Sequence, residues 1–179
     1  LCRMALDMLD RDPAMLGGGE GLCDYLLTQS RVPAEPDAVE DRTALVELLS
    51  NGLSVLLIDG AAGSGKSALV KQLTDGLTND CAFLAFKSTD LDVNDILNFL
   101  TPYGELNLDE VIDVYKMADT RVLYIDVAEK FFVCEYQETF EDILNRFMTA
   151  GWKIILTLRT AYRDSFQNSL LHGSKVQTY

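Results

Sequence analysis

From residue 38 onward the apolar positions of the chain switch between two periods. Residues 53–59 (LSVLLID), 81–86 (CAFLAF), 122–126 (VLYID) and 152–158 (WKIILTL) are short, nearly continuous apolar runs. Runs of that length, rich in branched residues, suit strands buried on both faces of a parallel sheet. Between them the apolar residues fall at helical spacing. Val39, Leu45, Val46, Leu48 and Leu49 predict a helix over residues 39–49, ended by Asn51-Gly52. Leu69, Val70, Leu73 and Leu77 share one face of a second. Asp92 is placed to cap a third, with Val93, Ile96, Leu97 and Leu100 inward and Pro102 as its stop. Asn107 and Glu110 have capping-box spacing for a helix through Ala118. Phe140, Ile143, Leu144, Phe147 and Met148 repeat at i, i+3, i+4, i+7 and i+8, and Gly151 stands where a C-terminal cap belongs. Strands alternating with helices predict an α/β fold with a mostly parallel sheet and right-handed crossovers. The chain ends before or within a possible fifth strand.

The first part of the sequence is different. Gly17-Gly18-Gly19 interrupts any long helix. Residues 21–30 fit a short helix carrying Leu22, Tyr25 and Leu26, and Val32-Pro33-Ala34-Glu35-Pro36-Asp37 reads as an extended linker. The expected division is a helical and linker segment over residues 1–37 and an α/β core over 38–179, truncated at its C-terminus. Residue 1 is not Met, which reads as a piece of a longer chain.

Composition narrows the class. Hydrophobic residues are 48% of the 179 and charged residues 24%, as in an ordinary globular protein. No apolar run approaches the roughly 20 residues of a membrane span, so no membrane partner is expected. Cys2, Cys23, Cys81 and Cys134 lie far apart and His172 is the single histidine, so a zinc site is not expected and a reducing, cytoplasmic setting is. The net charge of −13, with seven acids and no Lys or Arg between Asp90 and Asp113, predicts no nucleic-acid partner for this piece of chain.

The candidate chemistry begins after the first apolar run. Gly60-Ala61-Ala62-Gly63-Ser64-Gly65-Lys66-Ser67 satisfies GxxxxGK[ST]. Glycines let such a loop curl its N–H groups toward phosphate oxygens, and the helix that follows adds its positive N-terminus. Lys66 is then the charge that reaches the β- and γ-phosphates, and Ser67 the hydroxyl for Mg²⁺. The flanking strand and amphipathic helix supply the context that a bare pattern lacks. ATP with Mg²⁺ is the expected ligand.

Asp126 follows four apolar residues, which places a carboxylate at a strand's C-terminal edge, where open α/β sheets bind ligands. It is the expected metal-site acid, with a turn or capping aspartate as the plain alternative. Glu129 is placed to orient or deprotonate an attacking water, or merely to favour a helix dipole in a first turn. Arg159 closes the fourth apolar run, as a γ-phosphate sensor or as half of a surface ion pair. Thr157 is a weaker polar candidate on the same rim, and Arg163 falls four residues beyond Arg159.

Taken together, Glu40-Asp41-Arg42, GAAGSGKS, VLYIDVAEKF and KIILTLRT resemble the STAND class of P-loop ATPases, signal-transduction relatives of the AAA+ and NACHT proteins. The resemblance covers roughly residues 38–165. Residues 83–103 look similar to the large multidomain bacterial members, some of which act in antiphage defence. It implies a P-loop NTPase three-layer sandwich, Lys66 and Ser67 on phosphates and Mg²⁺, Asp126 at the metal, Arg159 as sensor, and Arg42 near base and ribose. It also implies a nucleotide-dependent oligomerisation switch that hydrolyses ATP slowly, with self-association in the longer protein. The family often has Asp-x-x-Asp-Glu at the second motif, whereas this chain reads Asp126-Val127-Ala128-Glu129-Lys130. A small-molecule or nucleoside kinase uses the same loop and is the alternative function, and a nucleotide-binding scaffold without turnover is a third.

Overall fold

The computed structural model describes residues 54–75, 81–104, 107–170 and 176–178. Arg42, the short helix over 21–30, the 32–37 linker, the helix over 39–49 and Leu77 lie outside these residues.

Five strands form one parallel sheet: β1 (Val55–Asp59), β2 (Cys81–Lys87), β3 (Thr120–Asp126), β4 (Lys153–Leu158) and β5 (Val176–Thr178), in the order β2-β3-β4-β1-β5. The four predicted runs are all strands, and the last three residues before Tyr179 supply the fifth. Because side chains alternate across a strand, each run feeds both faces. Leu56, Ile58, Val122, Tyr124 and Ile155 face one helix, α1 (Lys66–Asp75), through its Val70 and Leu73. Val55, Leu57, Leu123, Ile125, Ile154 and Leu156 face the other layer, which includes α2 (Leu108–Val114), α3 (Gln137–Thr149) and α4 (Arg163–Leu170). The result is three layers, helix–sheet–helix, with β1 and β4 at its centre.

The helices end where their sequences say they should, with one exception. The capping box of α2 forms: Asn107 Oδ1 accepts from the Glu110 N–H at 2.8 Å and Glu110 accepts from the Asn107 N–H at 3.3 Å. The segment continues to Ala118 only as a 3₁₀ turn, Tyr115–Met117. Gly151, at φ +81°, turns the chain out of α3. The exception is the helix expected from Asp92 to Leu100. That stretch holds one 3₁₀ turn, Ile96–Asn98, a second, Thr101–Tyr103, follows it, and Leu97 is 68% exposed rather than inward. Asp95, not Asp92, caps the first, accepting from the Leu97 N–H at 2.9 Å, while Asp92 accepts from the Tyr136 N–H at 2.9 Å. Short Asp and Asn side chains compete for the backbone donors a helix needs, and Pro102 sits inside the second turn rather than after a helix.

An aromatic cluster fixes the layer above β3 and β4. Phe131 contacts Phe132, Phe140 and Phe166 at ring-centroid distances of 5.4, 5.2 and 5.8 Å, all edge-on. Phe140 is fully buried in α3. Phe140→Ala is expected to destabilise the domain by about 3–5 kcal/mol, because the ring leaves a cavity that fixed neighbours cannot fill. Urea unfolding at equilibrium checks this, and a loss below about 1 kcal/mol would mean the cluster collapses freely around the gap.

Candidate functional site

The C-terminal ends of β1, β3 and β4 converge on one rim. The glycine loop leaves β1 at Gly60, whose N–H donates to the Leu158 carbonyl of β4 at 3.3 Å. The loop turns back on itself through a Ser64 N–H to Ala61 carbonyl contact at 3.3 Å, and the first helical bond of its far end runs from Leu69 N–H to the Gly65 carbonyl at 2.9 Å. Gly63 and Gly65 take φ of +76° and +87°, a region closed to most side chains. At Gly60 the obstacle is space instead, since a Cβ there would stand 2.8 Å from Ser64 Oγ. Lys66 opens α1 and folds over the loop, donating from Nζ to the carbonyls of Gly60 at 3.0 Å and Ala61 at 2.8 Å. Ala61, Ala62, Gly63 and Ser64 are exposed. The loop is therefore exposed to solvent, with the Lys66 ammonium resting on two of its carbonyls at the start of α1.

Asp126 ends β3 beside this loop and is only 4% exposed. Its Oδ1 accepts from Thr157 Oγ1 at 2.6 Å and from the Val127 N–H at 3.1 Å. The Thr157 hydroxyl has one hydrogen, committed to Asp126. Its 3.3 Å contact with the Tyr124 hydroxyl is then donated by Tyr124, and it also accepts the Val127 N–H at 3.3 Å. Burial first, then the nearby Asp126 charge, raise the Tyr124 phenol well above its ordinary pKa, which keeps it protonated and donating.

Ser67 Oγ stands 3.4 Å from Asp126 Oδ1. That separation is long for a hydroxyl–carboxylate hydrogen bond. The two oxygens make a pair of hard donors rather than a saturated bond, which suits a Mg²⁺ ion that prefers few protein oxygens and completes its shell with water and phosphate. Thr157, the weaker candidate by sequence, is the residue that orients this carboxylate. Threonine in an apolar strand reads as an ordinary β-former, and only the spatial order of strands reveals its partner.

Beyond Asp126 the chain reverses sharply. Val127 adopts φ +55°, ψ +47°, the left-handed region, unusual for a β-branched residue. A 3₁₀ segment, Ala128–Val133, follows, anchored by buried Ala128 and Phe131. Between those anchors Glu129 is brought over the rim with its side chain 10% exposed. Its Oε1 pairs with Arg159 Nε at 3.3 Å, and its Oε2 is buried with no hydrogen-bond partner. The guanidinium of Arg159 is 61% exposed. Arg163, at the start of α4, lies 3.7 Å from Asp59, the last residue of β1, and 3.3 Å from Asp164. Asp59 was not expected at the rim. The sequence-predicted residues Gly60–Ser67, Asp126, Glu129 and Arg159 thus meet at one end of the sheet; Arg42 is outside the described residues. Among the described residues no helix is long and apolar enough to cross a membrane.

No protein-family profile and no curated protein matches the sequence. Solved structures do. A DNA replication initiation factor superposes with a TM-score of 0.51 at 17% identity, covering 84% of this chain and 48% of its own. DnaA from Aquifex aeolicus bound to AMPPCP gives 0.49 at 17% identity over 84% and 49%. Drosophila ORC bound to AT-rich DNA and Cdc6 gives 0.49 at 10% over 97% and 59%. The chain spans about half the length of the first two structures. One expectation is corrected by these neighbours. The expectation of no nucleic-acid partner, drawn from the net charge of −13, does not stand: two of the matched structures are described with AT-rich DNA and with single-stranded DNA. Net charge is a sum over the chain, whereas phosphate contacts depend on the local surface. At these identities the likeness shows the fold alone, a three-layer α/β sandwich with a parallel sheet.

Proposed function

We propose that this chain is the Mg²⁺-ATP-binding module of a larger signalling ATPase of the STAND type, a switch whose triphosphate state favours self-association and whose slow hydrolysis resets it. The observation that carries the reading is the approach of Ser67 Oγ to Asp126 Oδ1, 3.4 Å apart and 59 residues distant in sequence, at the foot of the glycine loop. A buried carboxylate within reach of a hydroxyl beside a loop of backbone donors is the arrangement by which a cation would be bridged to phosphate.

In this reading the loop N–H groups and the α1 N-terminus hold the phosphates, and Lys66 exchanges its carbonyl partners for phosphate oxygens. Ser67 and Asp126 hold the metal, which when bound neutralises charge on the phosphates. Thr157 keeps Asp126 Oδ1 turned toward Ser67. Glu129 orients the attacking water, and Arg159 senses the γ-phosphate through its planar fork. Intrinsic hydrolysis is expected at roughly 10⁻⁴ to 10⁻³ s⁻¹, the range of related sites that lack a supplied arginine. The kinase alternative would use Arg159 and Arg163 to cover an acceptor; in this structure they pair with acids of the rim, Glu129 and Asp59.

Lys66→Ala is expected to abolish the thermal stabilisation that Mg²⁺-ATP gives the wild type, which at 100-fold excess over the dissociation constant is about 2.7 kcal/mol. Equal stabilisation of mutant and wild type would remove the phosphate-loop assignment. Asp126→Asn is expected to weaken binding measured with Mg²⁺ more than binding measured with EDTA, since an amide is a poorer ligand for a hard cation. An equal loss in both titrations would place Asp126 away from the metal. Thr157→Val keeps the shape but removes the hydroxyl, and a buried carboxylate and phenol each lose one partner. Unfolding stability is expected to fall by about 1–3 kcal/mol, and Mg²⁺-dependent affinity to fall with it. Unchanged affinity in a folded Thr157→Val protein would mean that Asp126 needs no orientation from β4.

A further inference from the structure

We infer that Glu129 and Arg159 form a latch that a triphosphate opens: without nucleotide each holds the other, and a γ-phosphate takes the guanidinium and leaves the carboxylate to the attacking water. This deepens the proposed function and rests on it.

Three observations carry the inference. The first is the contact itself, Arg159 Nε to Glu129 Oε1 at 3.3 Å. The residue read as sensor and the residue read as base neutralise one another, which holds the guanidinium to Glu129 rather than to a phosphate. Among the described residues this is the ion pair that Arg159 makes.

The second is the asymmetry of the two partners. Glu129 is 10% exposed and its backbone is fixed. Ala128 and Phe131 are buried on either side, and the Lys130 N–H closes a turn onto the Val127 carbonyl at 3.0 Å. Arg159 has a guanidinium 61% exposed on a flexible stem. Its backbone is tied to the phosphate loop, because the preceding carbonyl, Leu158, accepts the Gly60 N–H at 3.3 Å. The moving half of the pair is therefore the arginine, rooted beside the loop that would hold the γ-phosphate.

The third is the orphaned atom. Glu129 Oε2 is buried without a hydrogen-bond partner. A buried carboxylate oxygen without a donor is costly, and a carboxylate held only on its outer oxygen by one arginine is a poor final arrangement. A water under Oε2 would satisfy it, and that is the position a nucleophile needs. When a phosphate competes for Arg159, it offers a bidentate partner in exchange for a single Nε contact.

The latch makes a prediction that simple charge repulsion does not. Breaking the pair is part of binding ATP but not of binding ADP, which lacks the γ-phosphate. Glu129→Ala is therefore expected to tighten ATP relative to ADP by roughly two- to fivefold, the range for a half-exposed pair. In an Arg159→Ala background the same substitution is expected to change that ratio by nothing. The measurement is a four-protein cycle (wild type, two singles, double) of calorimetric titrations with Mg²⁺-ATP and Mg²⁺-ADP. If the gain from Glu129→Ala persists without Arg159, the carboxylate merely repels phosphate and the latch is wrong. If Glu129→Ala leaves the ratio unchanged or lowers it in the presence of Arg159, the latch is also wrong, while Lys66-dependent binding still supports the nucleotide reading. If neither nucleotide binds in a Lys66-dependent way, both fall. Should Glu129→Ala lower the melting temperature enough to blur the titrations, Glu129→Gln keeps the shape and removes the charge, and the same two outcomes apply.

Discussion

The arrangement at the rim depends on the 2.6 Å hydrogen bond from Thr157 to Asp126. Placing a carboxylate at 4% exposure is unfavourable unless donors meet it. Here the donors come from a neighbouring strand and from the chain's own next peptide. That requires β4 to lie directly against β3, and the sheet order puts it there, between β3 and β1. The same order makes Leu158 of β4 the acceptor for Gly60, so one strand both orients the acid and anchors the loop. A different neighbour for β3 would remove the Thr157 donor from buried Asp126.

The reversal after Asp126 follows from the same contact. Val127 in a left-handed conformation costs about 1–3 kcal/mol, and such strain persists only where the surroundings over-determine it. Its N–H is held by both Asp126 Oδ1 and Thr157 Oγ1, and the next residues are pinned by buried Ala128 and the Phe131 ring cluster. The strain turns the chain back over the strand ends, which brings Glu129 to the rim instead of letting it run out into solvent. Core packing and site geometry are thus one construction: the aromatic cluster stabilises the layer and also fixes the position of an acid.

Much of this could be read from the sequence, for identifiable reasons. The glycine loop is contiguous, so its spacing is its geometry. Asp126 is legible because a charge after four apolar residues has to sit at a strand end. The strands are legible because burial on both faces writes nearly unbroken apolar runs. What could not be read depends on the third dimension. Thr157 meets Asp126 across strands separated by 31 residues, and Arg159 meets Glu129 across two rim segments that no period connects. Val127 contradicts its own propensity, since a β-branched residue argues for extended backbone. The helix expected over residues 92–100 rests on apolar spacing with Asp92 as cap and Pro102 as stop, whereas Asp95 captures the Leu97 N–H, Asp92 is taken by the Tyr136 N–H, and Leu97 turns outward.

The rim combines fixed and movable charge. Asp126 and Glu129 are held by buried neighbours on both sides, whereas Lys66 rests on two loop carbonyls and Arg159 on a single carboxylate oxygen, contacts that another anion can replace. A site whose acids are rigid and whose cations are loosely satisfied is disposed to respond to an anion rather than to hold one arrangement. Arg159 directly follows the strand end that anchors the loop, and Arg163, at the start of α4, pairs with Asp59 at the end of β1, so both arginines stand on the segment that joins β4 to α4, beside the base of the glycine loop.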